Sequence, residues 1–162
     1  MRRSVSINKT IMTYLHARLL SNEGQNEAAL AELKKIEPIQ TRNHPALYQT
    51  RGEILMAMHR WSDAIRMFHQ LLELDPVNQG AYMGLCRCYL AQKGQQRQAL
   101  EAAAACLGLA YHNPRVHFLC GIALEQLGRF NDAQHAYKTA LAQNPVFPAA
   151  HRRLSCLSCY IG

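Results

Sequence analysis

Between Pro114 and Pro148 the apolar positions fall into two helical stripes separated by a tight turn. His117, Cys120, Gly121 and Leu124 stand at i, i+3, i+4 and i+7, the spacing that places side chains on one face of an α-helix. Leu127-Gly128-Arg129-Phe130 reads as the turn. Ala133, Tyr137, Ala140 and Leu141 form the second stripe, and Asn144-Pro145 ends it, because the residue before a proline is driven out of helical geometry. Small residues at Gly121, Ala133 and Ala140 allow a close helix–helix approach. The stretch predicts a helix–turn–helix hairpin.

The same alternation recurs along the chain. Hairpins are expected over 45–75, 79–110 and 114–143, with Pro45 and Pro114 where helices begin, a position whose N–H lacks a helical partner in any case. Asp63 and Asp132 lie in first turns and complement the helix dipole. Trp61 and Phe130, just before them, read as staples between hairpins. Upstream, Ile11, Tyr14, Leu15, Arg18 and Leu19 predict a helix over 9–22, and Asn22-Glu23-Gly24 a turn. A second helix starts near Asn26 with Ala29, Leu33 and Ile36 on one face and stops at Pro38, and Ile39 to His44 form a linker. From Pro148 a last helix turns His151, Leu154, Ser155 and Ser158 back onto the preceding hairpin. The count is nine helices and no sheet.

These hairpins keep one register. Gly52, Cys86 and Gly121 are 34 and 35 residues apart, and Ala64, Ala99 and Ala133 are 35 and 34 apart. Tyr48, Tyr82, His117 and His151 step by 34, 35 and 34, as do Pro45, Gln79, Pro114 and Pro148. A period near 34 with small and aromatic residues at fixed offsets resembles the tetratricopeptide repeat family. The resemblance runs from about Pro45 to the C-terminus. It is strongest over 45–78 (Tyr48, Gly52, Ala64, Phe68, Pro76) and 114–147 (Gly121, Ala133, Tyr137, Ala140, Pro145). Repeat 79–113 departs from the pattern: Cys86 replaces the glycine, Ala103 replaces the aromatic, and one residue is inserted between Cys86 and Gly94. Residues 9–37 read as a divergent first hairpin, off register by about one residue, and 148–160 as a half-repeat. The resemblance implies an all-α fold, a single array over 1–162, in which helix hairpins stack as a right-handed α-solenoid.

Composition narrows the function. No apolar run approaches the ~18 residues a membrane span needs, and the basic N-terminus lacks the apolar core of a secretory signal. Cys86, Cys106 and Cys120 fall on packing faces, where cysteine acts as a small hydrophobe; with no signal this favours the cytoplasm. The net charge of +7 is uneven. Residues 1–10 carry +3; 11–78 hold seven bases and eight acids, −1; 79–162 hold eight bases and three acids, +5. Such a basic half suits an acidic peptide, a nucleic-acid backbone or an anionic surface, or serves solubility alone.

Family resemblance places ligands on the concave face, built from the first helix of each hairpin. That face carries Ala46, Gln49, Glu53 and Met56, then Gly80, Met83, Arg87 and Leu90. It continues with Arg115, Phe118, Ile122 and Glu125, and ends with Arg152, Cys156 and Cys159. Met83, Leu90, Phe118 and Ile122 are apolar without being needed for hairpin packing, and Arg87, Arg115 and Arg152 flank them. Such a groove fits a peptide with apolar anchors and acidic groups, unless the N-terminal helices fold across and fill it. Some family members grip a C-terminal carboxylate with a lysine and an asparagine on the first groove helix; Gln49 and Glu53 stand at those places and argue against such a clamp.

No catalytic motif is present. Cys156-Leu157-Ser158-Cys159 lies on a predicted helix without the second pair a zinc site needs. The histidines are scattered, with no HExxH, glycine-rich phosphate loop or GxSxG. The reading is a protein–protein interaction module with no enzyme activity, cofactor or metal: an adaptor, assembly factor or secretion chaperone. The alternative is a regulatory tail of a larger bacterial enzyme. Residues Gly108 to Pro114 and Phe147 to Leu154 resemble repeat tails on alkaline-phosphatase-superfamily phosphodiesterases. Nucleic-acid binding through Arg97, Arg115, Arg129, Arg152 and Arg153 lacks a groove-reading helix and stacking aromatics. The last helix leaves Leu157, Tyr160 and Ile161 outward, which favours a homodimer through that end.

Overall fold

The computed structural model describes residues 2–36 and 44–161 and the side chains of 9–36 and 44–159, and among the described residues it has nine helices. They are α1 Arg2–Asn22, α2 Asn26–Lys34, α3 Pro45–Ala57, α4 Trp61–Leu74, α5 Gln79–Ala91, α6 Gln96–Leu109, α7 Pro114–Gln126, α8 Phe130–Gln143 and α9 Pro148–Ile161. Among the described residues there is no strand. The chain divides into two compact units, residues 1–81 and 82–162. The linker expected over Ile39 to His44 lies outside the described residues apart from His44.

In the first unit α1 pairs with α2 and α3 with α4, and α2 packs on α3. Its core gathers Ala17 of α1, Ala29, Leu33 and Ile36 around α2, and Leu47 and Ile54 of α3, with Tyr14 and Leu20 against them. Polar contacts tie the same helices. Tyr14 and Thr50 share a hydroxyl hydrogen bond of 3.2 Å. Arg51 donates to the Leu33 carbonyl at 2.6 Å, which also accepts from the Ile36 N–H at 3.3 Å. The α3–α4 hairpin closes because Gly52 has no side chain: a methyl there would come within 2.7 Å of the Phe68 ring. Burying Phe68 contributes about 1.5–3 kcal/mol.

In the second unit α6 packs on α7, α7 on α8 and α8 on α9. The same device returns at Gly121, where an added methyl would overlap the Tyr137 ring. Ala133, Tyr137 and Leu157 form the buried centre, with Phe118, Ile122, Leu124, Phe130 and Leu154 packed around it. Asn113 caps α7, its side chain accepting from the Val116 N–H at 3.3 Å. The helix-ending turns are marked by positive φ at Gly24, Gly94 and Gly128, and by His59 in the same role.

The structure departs from the sequence reading at both ends. Helix α1 begins at Arg2, seven residues before the expected start; no glycine or proline interrupts 2–8, so the helix runs past the point where apolar spacing begins. At the other end Leu157 is buried, 4% exposed, against Ala133 and Tyr137. Ala150, Leu154 and Leu157 at i, i+4 and i+7 are the stripe that faces the chain, whereas Ser155 and Ser158 are exposed. The outward apolar surface at Leu157 on which self-association was expected is therefore turned inward, and the side chains of Tyr160 and Ile161 lie outside the described residues.

Candidate functional site

In the second unit cysteines of α5, α6 and α7 come together. Cys86 of α5 and Cys120 of α7 are electrostatic neighbours, with Cys106 of α6 beside both. Burial, and then the proximity of Cys120, pushes Cys86 up to about 12; burial, and then the proximity of Cys106, pushes Cys120 up to about 11. Cys88, also buried, is pushed up to about 11. These thiols hold their protons at neutral pH and act as packing groups. Cys86 and Cys88, at i and i+2, point to different faces of the helix and make no ligand pair.

Next to them, α7 and α9 are joined by charge. Glu125 accepts from the Tyr137 hydroxyl at 2.8 Å and from Arg153 at 2.9 Å. Burial and the Glu125 hydrogen bond hold the Tyr137 hydroxyl far above the usual phenol range. Phe118 lies between the Tyr137 ring, 5.6 Å away, and the Phe147 ring, 4.9 Å away. Two histidines a repeat apart do equivalent work: His117 hydrogen-bonds the Tyr111 carbonyl at 3.0 Å and His151 the Pro145 carbonyl at 2.8 Å.

The candidate groove residues thus separate into two groups. Phe118 and Ile122 are half-buried in the α7–α8–α9 cluster, and Glu125 is committed to Tyr137 and Arg153. The expectation that Phe118 and Ile122 are spare in hairpin packing is corrected: they help seat α9. Met83 and Leu90 are half-buried, as Phe118 and Ile122 are, and Arg87, Arg115 and Arg152 are exposed. Among the described residues none of these three arginines has an acidic partner within ion-pair distance, whereas Arg129 pairs with Asp132 and Arg153 with Glu125. The exposed candidates of the second unit are therefore its unpaired arginines, Arg87, Arg115 and Arg152.

The first unit carries the remaining three candidates on α3. Gln49 donates to Glu53 at 3.0 Å, and Glu53 is exposed. Met56 is buried, which removes it from an open face.

Two cavities lie elsewhere and are lined by none of the candidates. One, about 460 Å³, sits among α2, α3 and α4, with Arg51, Arg60, Asp63 and Met67 in its wall. The other, about 310 Å³, is lined by His117, Arg129, Asp132 and His135. They repeat one feature: Arg60 and Asp63 stand 69 residues before Arg129 and Asp132. Asp63 is held by Arg66 and Arg60, which keep its carboxyl below the usual range. Asp63 is thus engaged by arginines of the same cavity, whose wall also carries Glu27. Cys156 and Cys159 are exposed and unbonded to each other.

Comparison with known proteins fits this geometry. Tetratricopeptide repeat family models match residues 55–102 and 114–145. Tetratricopeptide repeat protein 28 of Mus musculus is 28% identical over 132 residues, 80% of this chain. The chain spans 5% of that relative's length. Among solved structures, MamA (41-end) from Desulfovibrio magneticus RS-1 superposes with a TM-score of 0.84 at 22% identity, covering 94% of this chain and 85% of that one. The first TPR of Spaghetti (RPAP3), bound to the HSP90 peptide SRMEEVD, gives a TM-score of 0.70 at 17% identity, covering 72% of this chain and 92% of that one. The all-α helical-repeat fold, the 34-residue register and the two family matches agree: the chain belongs to the tetratricopeptide repeat family.

Proposed function

We propose that the protein is a non-enzymatic interaction module that binds an acidic, partly apolar peptide or helix of a protein partner on the second unit. Met83, Arg87 and Leu90 of α5, Arg115 of α7 and Arg152 of α9 make the contact. The observation that carries this reading is the set of three exposed arginines without acidic partners among the described residues, one of them, Arg87, standing between half-buried Met83 and Leu90 on one face of α5. Phe118, Ile122 and Glu125 support the surface from beneath by holding α7 against α8 and α9. A neighbour of the same fold holds the acidic peptide SRMEEVD, which is consistent with this chemistry. Gln49 and Glu53, bonded to each other, put a carboxylate where a terminal carboxylate would be gripped. Recognition therefore does not depend on a free C-terminus.

Adaptor, assembly factor and secretion chaperone all remain roles of such a module, with the cytoplasm as the proposed compartment. No described helix is long and apolar enough to cross a membrane. The alternative of an enzyme's regulatory tail drew on the loops before α7 and α9. Those residues have structural duties here: Asn113 caps α7, Phe147 packs on Phe118 and His151 closes on Pro145.

Selection from a displayed random-peptide library on the purified protein tests the reading. Recovered peptides should combine Asp or Glu with large apolar residues, bind equally as acids and amides, and lose about tenfold or more on Met83→Ala, as central apolar anchors do. Recovery of basic peptides, or indifference to Met83→Ala, would overturn it.

A further inference from the structure

Helix α1 exposes a row of side chains at positions that later hairpins cover. The positive-φ residues Gly24, His59 and Gly128 mark one point in three hairpins. Twelve, nine and five residues before them lie Met12, Leu15 and Leu19 in α1, Leu47, Thr50 and Ile54 in α3, and Val116, Leu119 and Ala123 in α7. Leu47, Thr50 and Ile54 are 3%, 7% and 1% exposed. Val116 and Ala123 are buried and Leu119 half-buried. Met12, Leu15 and Leu19 are 66%, 48% and 59% exposed, with Ile11 beside them at 49%.

What covers the equivalent row is visible within the first unit. Leu47 and Ile54 of α3 receive Ala29, Leu33 and Ile36, a stripe at i, i+4 and i+7 from the second helix of the preceding hairpin. In the second unit α7 likewise packs on α6, the second helix before it. Ile11, Leu15 and Leu19 at i, i+4 and i+8 form the ridge by which helices interdigitate. Charge narrows the occupant. Over its 21 residues α1 contains no acid and four bases, Arg2, Arg3, Lys9 and Arg18. A second copy is a poor match: another α1 repeats the positive charge, and the exposed side of α9 presents Arg152 and Arg153.

We propose that the outer face of α1 seats an acidic amphipathic helix of a partner protein, docked as the second helix of a preceding hairpin docks on α3. This inference is independent of the arginine surface on the second unit.

The test uses the whole protein and two labelled helical peptides of about 20 residues, long enough to hold helix in water. Both carry Ala and Leu at the α2 spacing, one with glutamate and the other with lysine elsewhere. The glutamate peptide should bind at least about tenfold more tightly, a difference of about 1.4 kcal/mol. Leu15→Glu with Leu19→Glu should abolish that preference while the circular dichroism melt is unchanged, and Met12→Glu, at the most exposed site, should weaken it. Arg115→Glu should leave it intact, which separates this seat from the second-unit surface. Equal binding of the two peptides, failure of both, or insensitivity to the α1 variants would overturn the proposal. So would cosedimentation with phosphatidylserine vesicles in place of peptide binding, or a concentration-dependent dimer that Leu15→Glu dissociates.

Discussion

Gly121 and Gly52 are the residues on which hairpin spacing turns, since each lies flush against an aromatic ring of the following helix. Gly121→Ala should cost about 1–3 kcal/mol in urea unfolding, the range for overpacking a tight core, and Gly52→Ala a similar amount. An unchanged midpoint for Gly121→Ala would mean that Tyr137 moves aside freely. Glycine was legible at both places from its period, and Cys86 at the intervening place from the same count. The buried thiols carry a second expectation. A cysteine in the unfolded chain titrates near 8.5, whereas folded Cys86 is pushed to about 12 and Cys88 and Cys120 to about 11. Below about pH 8 both states keep these protons and stability is independent of them. At higher pH the unfolded chain releases protons that the folded chain retains, so stability falls as pH rises. Tyr137, also raised, adds to the fall above about pH 10. Urea midpoints should hold level from about pH 6 to 8 and decline from about 9 to 11, less steeply in Cys86→Ala. A midpoint that rises with pH in that window would contradict the burial of these groups.

At the scale of the element, α8 and α9 show what pattern reading captures and what it misses. Ala133, Tyr137 and Ala140 were read as one face and are fully buried. Ala133→Arg should therefore destabilise the second unit by about 3–5 kcal/mol, the cost of an unpaired buried charge. A thermal melt that barely moves would place Ala133 outside the helix contact. For α9 the period was right and the phase wrong. His151, with Leu154, Ser155 and Ser158, is expected on the face turned back to the preceding hairpin. It makes the equivalent loop hydrogen bond yet remains exposed, while Ala150 and Leu157 take the core. Leu157→Glu should lower stability by about 2–4 kcal/mol through lost burial and a buried carboxylate. Stability equal to wild type would restore the outward placement of Leu157. The length of α1 was hidden for a different reason: its first turns carry no apolar stripe to reveal them.

For the whole molecule, the repeat was legible because spacing survives where individual residues erode, as at Cys86 and Ala103. The site was less legible. Spacing alone names the helix faces but not which side chains the next hairpin consumes. Phe118 and Ile122 lie on the named face and are spent on seating α9; Met56 lies on it and is buried. Glu125 and Asp132 are committed to Arg153 and Arg129, whereas Arg87, Arg115 and Arg152 are exposed and have no acidic partner among the described residues. The central claim is that these arginines read acidic groups on an apolar peptide. Fluorescence anisotropy of one selected acidic peptide against wild type, Arg115→Glu, and Arg129→Glu as a control paired with Asp132 tests it most directly. The account predicts at least about a tenfold loss for Arg115→Glu, partial recovery when the peptide's acids are exchanged for lysines, and no change for Arg129→Glu. Equal affinity for wild type and Arg115→Glu, or equal losses in both arginine variants, would contradict it.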